Sequence, residues 1–308
     1  MKSNSHSRIL VILAFFAVYF IWGTTYLANT FALKGFPPFL LAAFRYLAAA
    51  TLLAAYATAR GLTWPSMRES GPLSISGILM LVGGSGIVVF AQQYINSGYA
   101  AAIVATEPLW FIIFDRSRWK LYLSNKWVLA GLAIGFGGIG WFSLLSSSSQ
   151  GNATTNNHWL GTALLLLSSM LWVMGTLYGN RVKKPSASNL TRSAVQLLAA
   201  SIVSLALALF RGELANWNIS SVTAQGWGGL GYLVVMGSLV AFLAFNWLVK
   251  VQPPAVVSTH TFVNPMVALL MGWLIASEQV QYRQLIAFVV VLLGVLIIQL
   301  KKPAESSH

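Results

Sequence analysis

The stretch "AAIVATEPLWFII" at residues 101 to 113 places a carboxylate and a proline inside a run that is otherwise almost entirely apolar. A second stretch, "STHTFVNPMVALL" at residues 258 to 270, aligns with it, so that the Glu-Pro pair beginning at Glu107 lies over the Asn-Pro pair beginning at Asn264. A pattern that recurs at a fixed offset in two apolar segments indicates internal duplication. The two stretches therefore predict a chain built from two related halves.

The composition distinguishes between a soluble protein and a membrane protein. Of 308 residues, 57% are hydrophobic and 8% are charged, whereas soluble domains have about a quarter of their residues charged. The chain is therefore predicted to be an integral membrane protein. The net charge of +13 does not predict a nucleic-acid partner, because the Lys and Arg residues lie in short runs between apolar segments. The chain has no cysteine, which excludes disulfides and thiolate metal sites.

Ten segments are long and apolar enough to be transmembrane helices, since about 20 helical residues span the hydrocarbon core. The predicted fold is all-α. The segments are 9–33, 36–59, 71–93, 97–114, 127–145, 158–179, 188–210, 225–249, 253–276 and 284–300.

The basic residues predict the orientation in the membrane, because Lys and Arg in short loops are retained on the cytoplasmic side. With ten helices and a cytoplasmic N-terminus, fourteen of them fall inside and only Lys34, Arg211 and Arg283 fall outside. The sequence therefore predicts a multi-pass protein of the cell (inner) membrane with both termini in the cytoplasm.

The predicted halves each contain five helices. Residues 1–146 form the first repeat, 147–157 an external polar linker, 158–302 the second repeat and 303–308 a cytoplasmic tail. Two tandem repeats with an odd number of helices must insert with opposite topology, and inverted repeats are typical of secondary transporters.

Five blocks of sequence carry a resemblance to a known family. They are "IWGTTYLA" at 21 to 28, "FRYLAAATLLA" at 44 to 54, "SGYAAAIVATEPLW" at 97 to 110, "LW" at 171 to 172 and "VSTHTFVNPMVALLMGWLIASEQV" at 257 to 280. Together they resemble the EamA-type transporters of the drug/metabolite transporter superfamily. The resemblance covers nearly the whole chain and is most specific in the last block, which contains Glu278.

The resemblance implies a ten-helix inverted-repeat fold that moves small metabolites, often outward. It implies a central cavity lined by the first four helices of each repeat, with the fifth helix as scaffold. The glycines of the fifth helix suit close helix contact, and they are Gly131, Gly135, Gly137, Gly138 and Gly140.

Three ionisable residues, Arg45, Glu107 and His260, are predicted to lie well inside the membrane. Charged side chains are energetically costly there, so each of them is expected to have a structural or functional role. Arg45 and Glu107 are expected at similar depth and can form an ion pair. That pair is either a permanent structural contact or one in which Glu107 exchanges its partner for a proton or a cationic substrate. The third alternative is a protonated glutamate without a partner. Glu107 and His260 are the candidate proton-coupling residues, although a lone His is more often an interior hydrogen-bonding group.

The candidate substrate-binding residues combine ring faces, amides and charge, which suits an amphipathic solute with an amine. They are Trp22, Tyr26, Arg45, Tyr94, Glu107, Trp110, Trp172, Tyr178, Asn246, His260 and Asn264. Pro108 and Pro265 each remove a backbone donor in a predicted mid-helix position, and their matched placement predicts paired hinges.

The function predicted from these features is a secondary active transporter that exports amino acids or related amphipathic metabolites by alternating access. The alternative is efflux of cationic aromatic drugs by proton antiport. An intramembrane enzyme or a lipid-handling protein is the rival from another class, and its only candidate catalytic groups are Glu107 with Arg45, or His260 alone. The expected partners are a small-molecule substrate, the lipid bilayer and a proton as candidate coupling ion. No cofactor, metal or nucleic acid is expected, and the oligomeric state is left open.

Overall fold

The structure is a computed structural model that describes residues 3–114, 116, 119, 124–149, 155–179, 187–252, 257, 260–276 and 282–301. Within these residues every regular element is helical, which confirms the all-α prediction for this part of the chain. The predicted linker 147–157 is described only in part, and Glu278 and the predicted tail 303–308 lie outside the described residues.

The described helices follow the predicted segments closely. In the first half they are α1 Ser3–Phe16, α2 Trp22–Ala32, α3 Pro38–Ala59, α4 Met67–Gly77, α5 Ile87–Ala91, α6 Ser97–Val104, α7 Glu107–Phe114 and α8 Lys126–Ser149. In the second half they are α9 Thr155–Gly179, α10 Asn189–Phe210, α11 Ala224–Tyr232, α12 Phe242–Val251, α13 His260–Ala276 and α14 Tyr282–Lys301.

Among the described residues, seven helices are long and apolar enough to cross a membrane by length and composition. They are Arg8–Ala32, Pro38–Ala59, Met67–Ala91, Ser97–Phe114, His158–Gly179, Asn189–Phe210 and Ala224–Val251. Three shorter apolar helices are Lys126–Gly138, Val263–Ala276 and Leu285–Gly294. The ten spans and their inverted arrangement therefore remain a prediction.

Short π-helical segments interrupt three of the long helices. Segment π1 is Ala17–Ile21 between α1 and α2, π2 is Ile78–Gly86 between α4 and α5, and π3 is Leu233–Ala241 between α11 and α12. The π-helix is rare and occurs preferentially at functional sites. Segments π2 and π3 are both nine residues long and occupy corresponding places in the two halves. The hydropathy pattern did not predict them.

The helix contacts relate the halves to each other. Helix α3 packs along α10, and α8 packs along α14, so the second and fifth helices of each predicted repeat pair with their counterparts. Segment π2 packs on α9, while α11 packs on α2. The third helix of each predicted repeat thus contacts the first helix of the other repeat. Two related repeats would produce this symmetric pattern.

The stretch that opens the sequence analysis is not a continuous helix. The predicted span 97–114 is confirmed as the apolar segment Ser97–Phe114, but the placement of Pro108 at mid-helix is wrong, because α6 ends at Val104 and α7 begins at Glu107. Proline lacks an N–H and its ring clashes with the carbonyl four residues earlier, but both penalties vanish in the first turn of a helix. The chain therefore breaks at 105–106 and places Pro108 in that first turn. Pro265, by contrast, lies inside the continuous helix α13.

Glycines create the closest approach between α8 and α14. A Cβ added to Gly294 would lie 2.5 Å from the backbone N of Gly135 and 2.8 Å from the carbonyl O of Gly131. A Cβ added to Gly137 would have no heavy atom within 4 Å. The predicted glycine ladder is therefore only partly a helix contact, since Gly137 and Gly140 face open space.

The variant Gly294→Ala is expected to destabilise the protein by about 1–3 kcal/mol, because the new methyl group meets a rigid backbone and the two helices must separate. The measurement is the unfolding transition of purified protein in detergent. The matched control is Gly137→Ala, which places a methyl group on the partner helix in open space. Equal stability of the two variants would contradict the close packing of α8 on α14.

Candidate functional site

A cavity of ≈ 760 Å³, including its open part, lies between the two halves of the described structure. Its wall is formed by α2, α3, π2, α5, the α6–α7 region, α9, π3, α12 and α13. The residues that line it are Trp22, Thr25, Tyr26, Asn29, Arg45, Leu81, Gly84, Ser85, Val88, Ala101, Val104, Ala105, Glu107, Ser168, Trp172, Gly237, Ser238, Phe242, His260, Thr261, Asn264 and Pro265. We refer to it as the central cavity.

Most of the predicted site residues meet in the central cavity. These are Trp22, Tyr26, Arg45, Glu107, Trp172, His260 and Asn264, together with the predicted hinge residue Pro265. They come from both halves of the chain and are separated in sequence by as much as 243 positions. The structure thus brings together the three ionisable residues that the sequence places in the membrane interior.

The remaining predicted site residues lie elsewhere. Trp110 donates from Nε1 to Thr106 Oγ1 at 3.1 Å, and its ring packs on Phe136. Tyr94 follows the end of α5 and makes an edge contact with Phe90 at 5.8 Å. Asn246, Tyr178 and Pro108 are also absent from the lining of the central cavity, and Asn246 lines a second cavity instead. The position of these residues along their helices did not reveal on which side of the helix their side chains lie.

The predicted ion pair between Arg45 and Glu107 is not formed in this structure. Arg45 Nε donates to Ser238 Oγ of π3 at 2.8 Å, and its guanidinium carbon lies 5.4 Å from the ring centre of Tyr46. Arg211 Nε and Glu213 Oε1, 3.6 Å apart, form an ion pair, and neither residue lines the central cavity. Arg45 and Glu107 are therefore two buried ionisable groups that line one cavity without forming an ion pair.

The break between α6 and α7 positions Glu107 at the wall of the cavity. The turn is closed by Thr106 N donating to Ile103 O at 3.1 Å and Leu109 N donating to Thr106 O at 2.9 Å. Glu107 is the first residue of α7, where the partial positive charge of a helix N-terminus favours a carboxylate. Its side chain is 4% exposed, so this favourable field acts where water is largely excluded.

Three polar atoms of the cavity wall are buried without a hydrogen-bonding partner. They are Glu107 Oε2, Asn29 Oδ1 and Trp172 Nε1. Asn29 Nδ2 donates to Gln92 Oε1 at 2.9 Å, so the amide is held in place while its oxygen stays unused. Unsatisfied buried groups are costly and require an explanation. Here they provide two acceptors and one donor that a bound solute or water can satisfy.

An aromatic cluster forms one side of the cavity. The Trp22 ring centre lies 5.3 Å from Trp172 in an edge-to-face contact and 5.1 Å from Phe245. Trp22 Nε1 also donates to the carbonyl of Gly237 in π3 at 3.3 Å. These contacts hold the indole between the two halves and present apolar ring surface to the cavity.

His260 is part of this cluster and of a polar network. Its ring lies 5.2 Å from Trp22 and 5.8 Å from Phe245. With the Asn264 amide oriented so that each of its atoms has a suitable partner, Oδ1 accepts from His260 Nδ1 at 3.2 Å and Nδ2 donates to Tyr19 O at 2.7 Å. This geometry gives His260 the role of an interior hydrogen-bonding group, and its role in proton transfer stays a prediction.

Several cavity residues were not predicted as site residues. Thr25 lies three positions after Trp22, which places it on the same helix face. That spacing could have identified it. Ser85 and Ser238 are brought to the wall by π2 and π3, and no sequence signal indicated the change of helix type there.

Comparison with known proteins supports this description. The EamA-like transporter family matches the chain twice, over residues 9–144 and 159–300. The "Uncharacterized inner membrane transporter YedA" of Escherichia coli (strain K12) is 33% identical over 290 residues, which cover 94% of this chain and 90% of that protein. "Protein PecM" of Dickeya dadantii is 26% identical over 280 residues, with 91% and 89% covered. A crystal structure with 18% sequence identity shares the fold at a TM-score of 0.66, covering 96% of this chain and 99% of that one.

Proposed function

The chain belongs to the EamA-like transporter family, and from this premise we propose that it is a secondary transporter that exports amino acids or related amphipathic metabolites. The proposed mechanism is alternating access, in which the central cavity opens to one side of the membrane at a time. The proposed location is the inner membrane, with both termini in the cytoplasm.

One observation carries the proposed substrate class, namely that Arg45 and Glu107 line the same cavity without forming an ion pair. Arg45 is 6% exposed and Glu107 is 4% exposed. A buried charge is strongly unfavourable unless it is paired. A zwitterionic solute supplies both missing partners, because its carboxylate can bind the guanidinium of Arg45 and its ammonium can bind the carboxylate of Glu107.

The rest of the cavity wall fits the apolar part of such a solute. Ring faces attract cations and also cover apolar groups, and the ring of Trp22 contacts that of Trp172 on one side of the cavity. Asn29 Oδ1 is an unused acceptor that suits an ammonium group. Ligand sites commonly combine a mostly apolar wall with a few polar groups in this way.

The second candidate function is efflux of cationic aromatic drugs by proton antiport. The aromatic wall and the carboxylate of Glu107 favour a cation. The guanidinium of Arg45 in the same cavity is a like charge and disfavours one. In either function Glu107 and His260 remain the proposed proton-coupling residues, because both are ionisable and line the cavity.

A substrate panel in proteoliposomes tests the proposal. The panel contains a labelled aromatic amino acid, the amine obtained by removing its carboxylate and the acid obtained by removing its amino group, each assayed with and without a pH gradient. We expect the amino acid to be exchanged at least about tenfold faster than either analogue, since each analogue leaves one buried charge unpaired. The control is protein-free liposomes.

The direction is tested in the same study with everted and right-side-out vesicles. Substrate accumulation in everted vesicles is expected for an exporter. Faster exchange of the amine than of the amino acid would instead support the drug-efflux alternative. Equal rates with and without protein for all three compounds would contradict both functions.

A further inference from the structure

A second cavity of ≈ 410 Å³ lies at one end of the helical bundle, apart from the central cavity. Its wall comes from α4 and π2, the last turn of α9, the first two turns of α10 and the last turns of α12. The distribution of basic residues predicts that this end faces the cytoplasm. We refer to it as the end cavity.

Two cationic side chains line the end cavity, Arg192 of α10 and Lys250 of α12. Arg192 lies near the start of α10, and long basic side chains near helix ends commonly extend toward the membrane surface. The structure instead leaves it 9% exposed, and its Nε is buried without a hydrogen-bonding partner. A guanidinium has five N–H donors and no acceptor, so an acceptor is the group that this site lacks.

The neighbouring polar side chains do not supply that acceptor. Asn246 Nδ2 donates to Ser193 Oγ at 2.8 Å and to Gln196 Oε1 at 2.9 Å. Gln196 Nε2 donates in turn to Ser76 Oγ at 3.3 Å. These amides form a network with one another across α10 and α12, which leaves Arg192 Nε outside it.

Negative charge is also scarce around the end cavity. None of its described lining residues is an acid. Glu69 attracts Arg192 electrostatically, but it does not line the cavity and its Oε2 accepts from Ser66 N at 2.8 Å in the cap of α4.

From these contacts we infer that the end cavity is a binding site for a small anionic group, a carboxylate or a phosphate, held between Arg192 and Lys250. Arg binds such groups through paired N–H donors, and Lys adds a point charge. The group can belong to a free solute or to an anionic lipid headgroup, since both present the same oxygens to these cations. The inference does not depend on the substrate proposed for the central cavity.

The test measures thermal unfolding of the full chain in nanodiscs as inorganic phosphate replaces chloride at constant ionic strength. In nanodiscs of zwitterionic phosphatidylcholine we expect a saturable rise in the unfolding temperature, because a ligand that binds the folded state stabilises it. Arg192→Gln and Lys250→Gln are each expected to weaken the apparent phosphate affinity at least about tenfold. The matched control is Arg60→Gln, which removes an exposed cation at the same predicted end of the bundle.

A parallel series in nanodiscs containing phosphatidylglycerol identifies the source of the anion. Stabilisation by this lipid that disappears in Arg192→Gln and Lys250→Gln, with no further response to phosphate, supports the site and assigns the lipid headgroup to it. A phosphate response that persists in both lipids assigns a free solute. The inference is overturned if wild type responds to neither anion, or if Lys250→Gln and Arg192→Gln respond as Arg60→Gln does. Lys250→Gln keeps the test decisive if Arg192→Gln does not fold.

Discussion

Replacing Glu107 by Gln is expected to reduce counterflow of a zwitterionic amino acid by about 10- to 100-fold, because a hydrogen bond to a charged group contributes about 1.5–3 kcal/mol. The substitution preserves the shape of the side chain and removes only the charge that would bind the ammonium group. Stability is not expected to fall, since the neutral Gln side chain places no charge without an ionic partner at position 107. The measurement is counterflow in proteoliposomes, with the unfolding transition as a check on folding.

The matched control for this prediction is Glu69→Gln, which removes a carboxylate outside the central cavity and leaves its wall intact. Counterflow is the informative assay because it exchanges substrate for substrate without net proton movement. If Glu107→Gln keeps wild-type counterflow but loses accumulation driven by a pH gradient, Glu107 carries the proton and not the ammonium group. Full activity in both assays would exclude either role.

Replacing Arg45 by Gln is expected to lower the rate of amino acid exchange by a similar factor, about 10- to 100-fold, while the amine without a carboxylate loses little or gains. The reason is that Arg45 is the proposed partner of the substrate carboxylate, and its positive charge repels a bare cation. For Glu107→Gln we expect the reverse: exchange of the amino acid falls, while the acid without an amino group loses little or gains. The measurement is the ratio of exchange rates for the amino acid, the amine and the acid in each variant.

Arg45 also holds α3 to π3 through its bond to Ser238, so a purely structural effect must be separated from a substrate effect. Ser238→Ala removes that bond and keeps the positive charge. We expect Ser238→Ala to retain the preference of wild type for the amino acid over the amine. An equal change of preference in Ser238→Ala and Arg45→Gln would show that Arg45 acts through the position of π3 and not through the substrate.

The sequence predicted much of the candidate site because burial of charge in a membrane is rare enough to be informative. Arg45, Glu107 and His260 were singled out as ionisable residues of the membrane interior, and all three line the central cavity. Trp22 and Trp172 were predicted as aromatic residues of the site, and their rings make contact there. The prediction used composition, spacing and the resemblance to the EamA-type transporters.

The same reasoning failed where the answer depended on local backbone geometry. The matched positions of Pro108 and Pro265 predicted equivalent kinks in the two halves. Pro108 instead lies in the first turn of α7, whereas Pro265 lies inside α13. The segments π2 and π3 change which side chains face inward, and they brought Ser85 and Ser238 to the wall. A shift of hydrogen-bond register leaves the hydropathy of a segment unchanged, so the sequence pattern could not reveal it.

The amino-acid sequence alone was enough to show that the chain is an apolar helical protein, that its two halves share sequence motifs and that it belongs to the EamA-like transporters. These properties depend on composition and on local periodicity, and both can be read directly from the sequence. The folded arrangement was needed to show that Arg45 donates a hydrogen bond to Ser238 and that Glu107 Oε2 has no hydrogen-bonding partner. Which charges meet depends on the rotation of each helix and on the breaks within it, and packing of distant segments sets both.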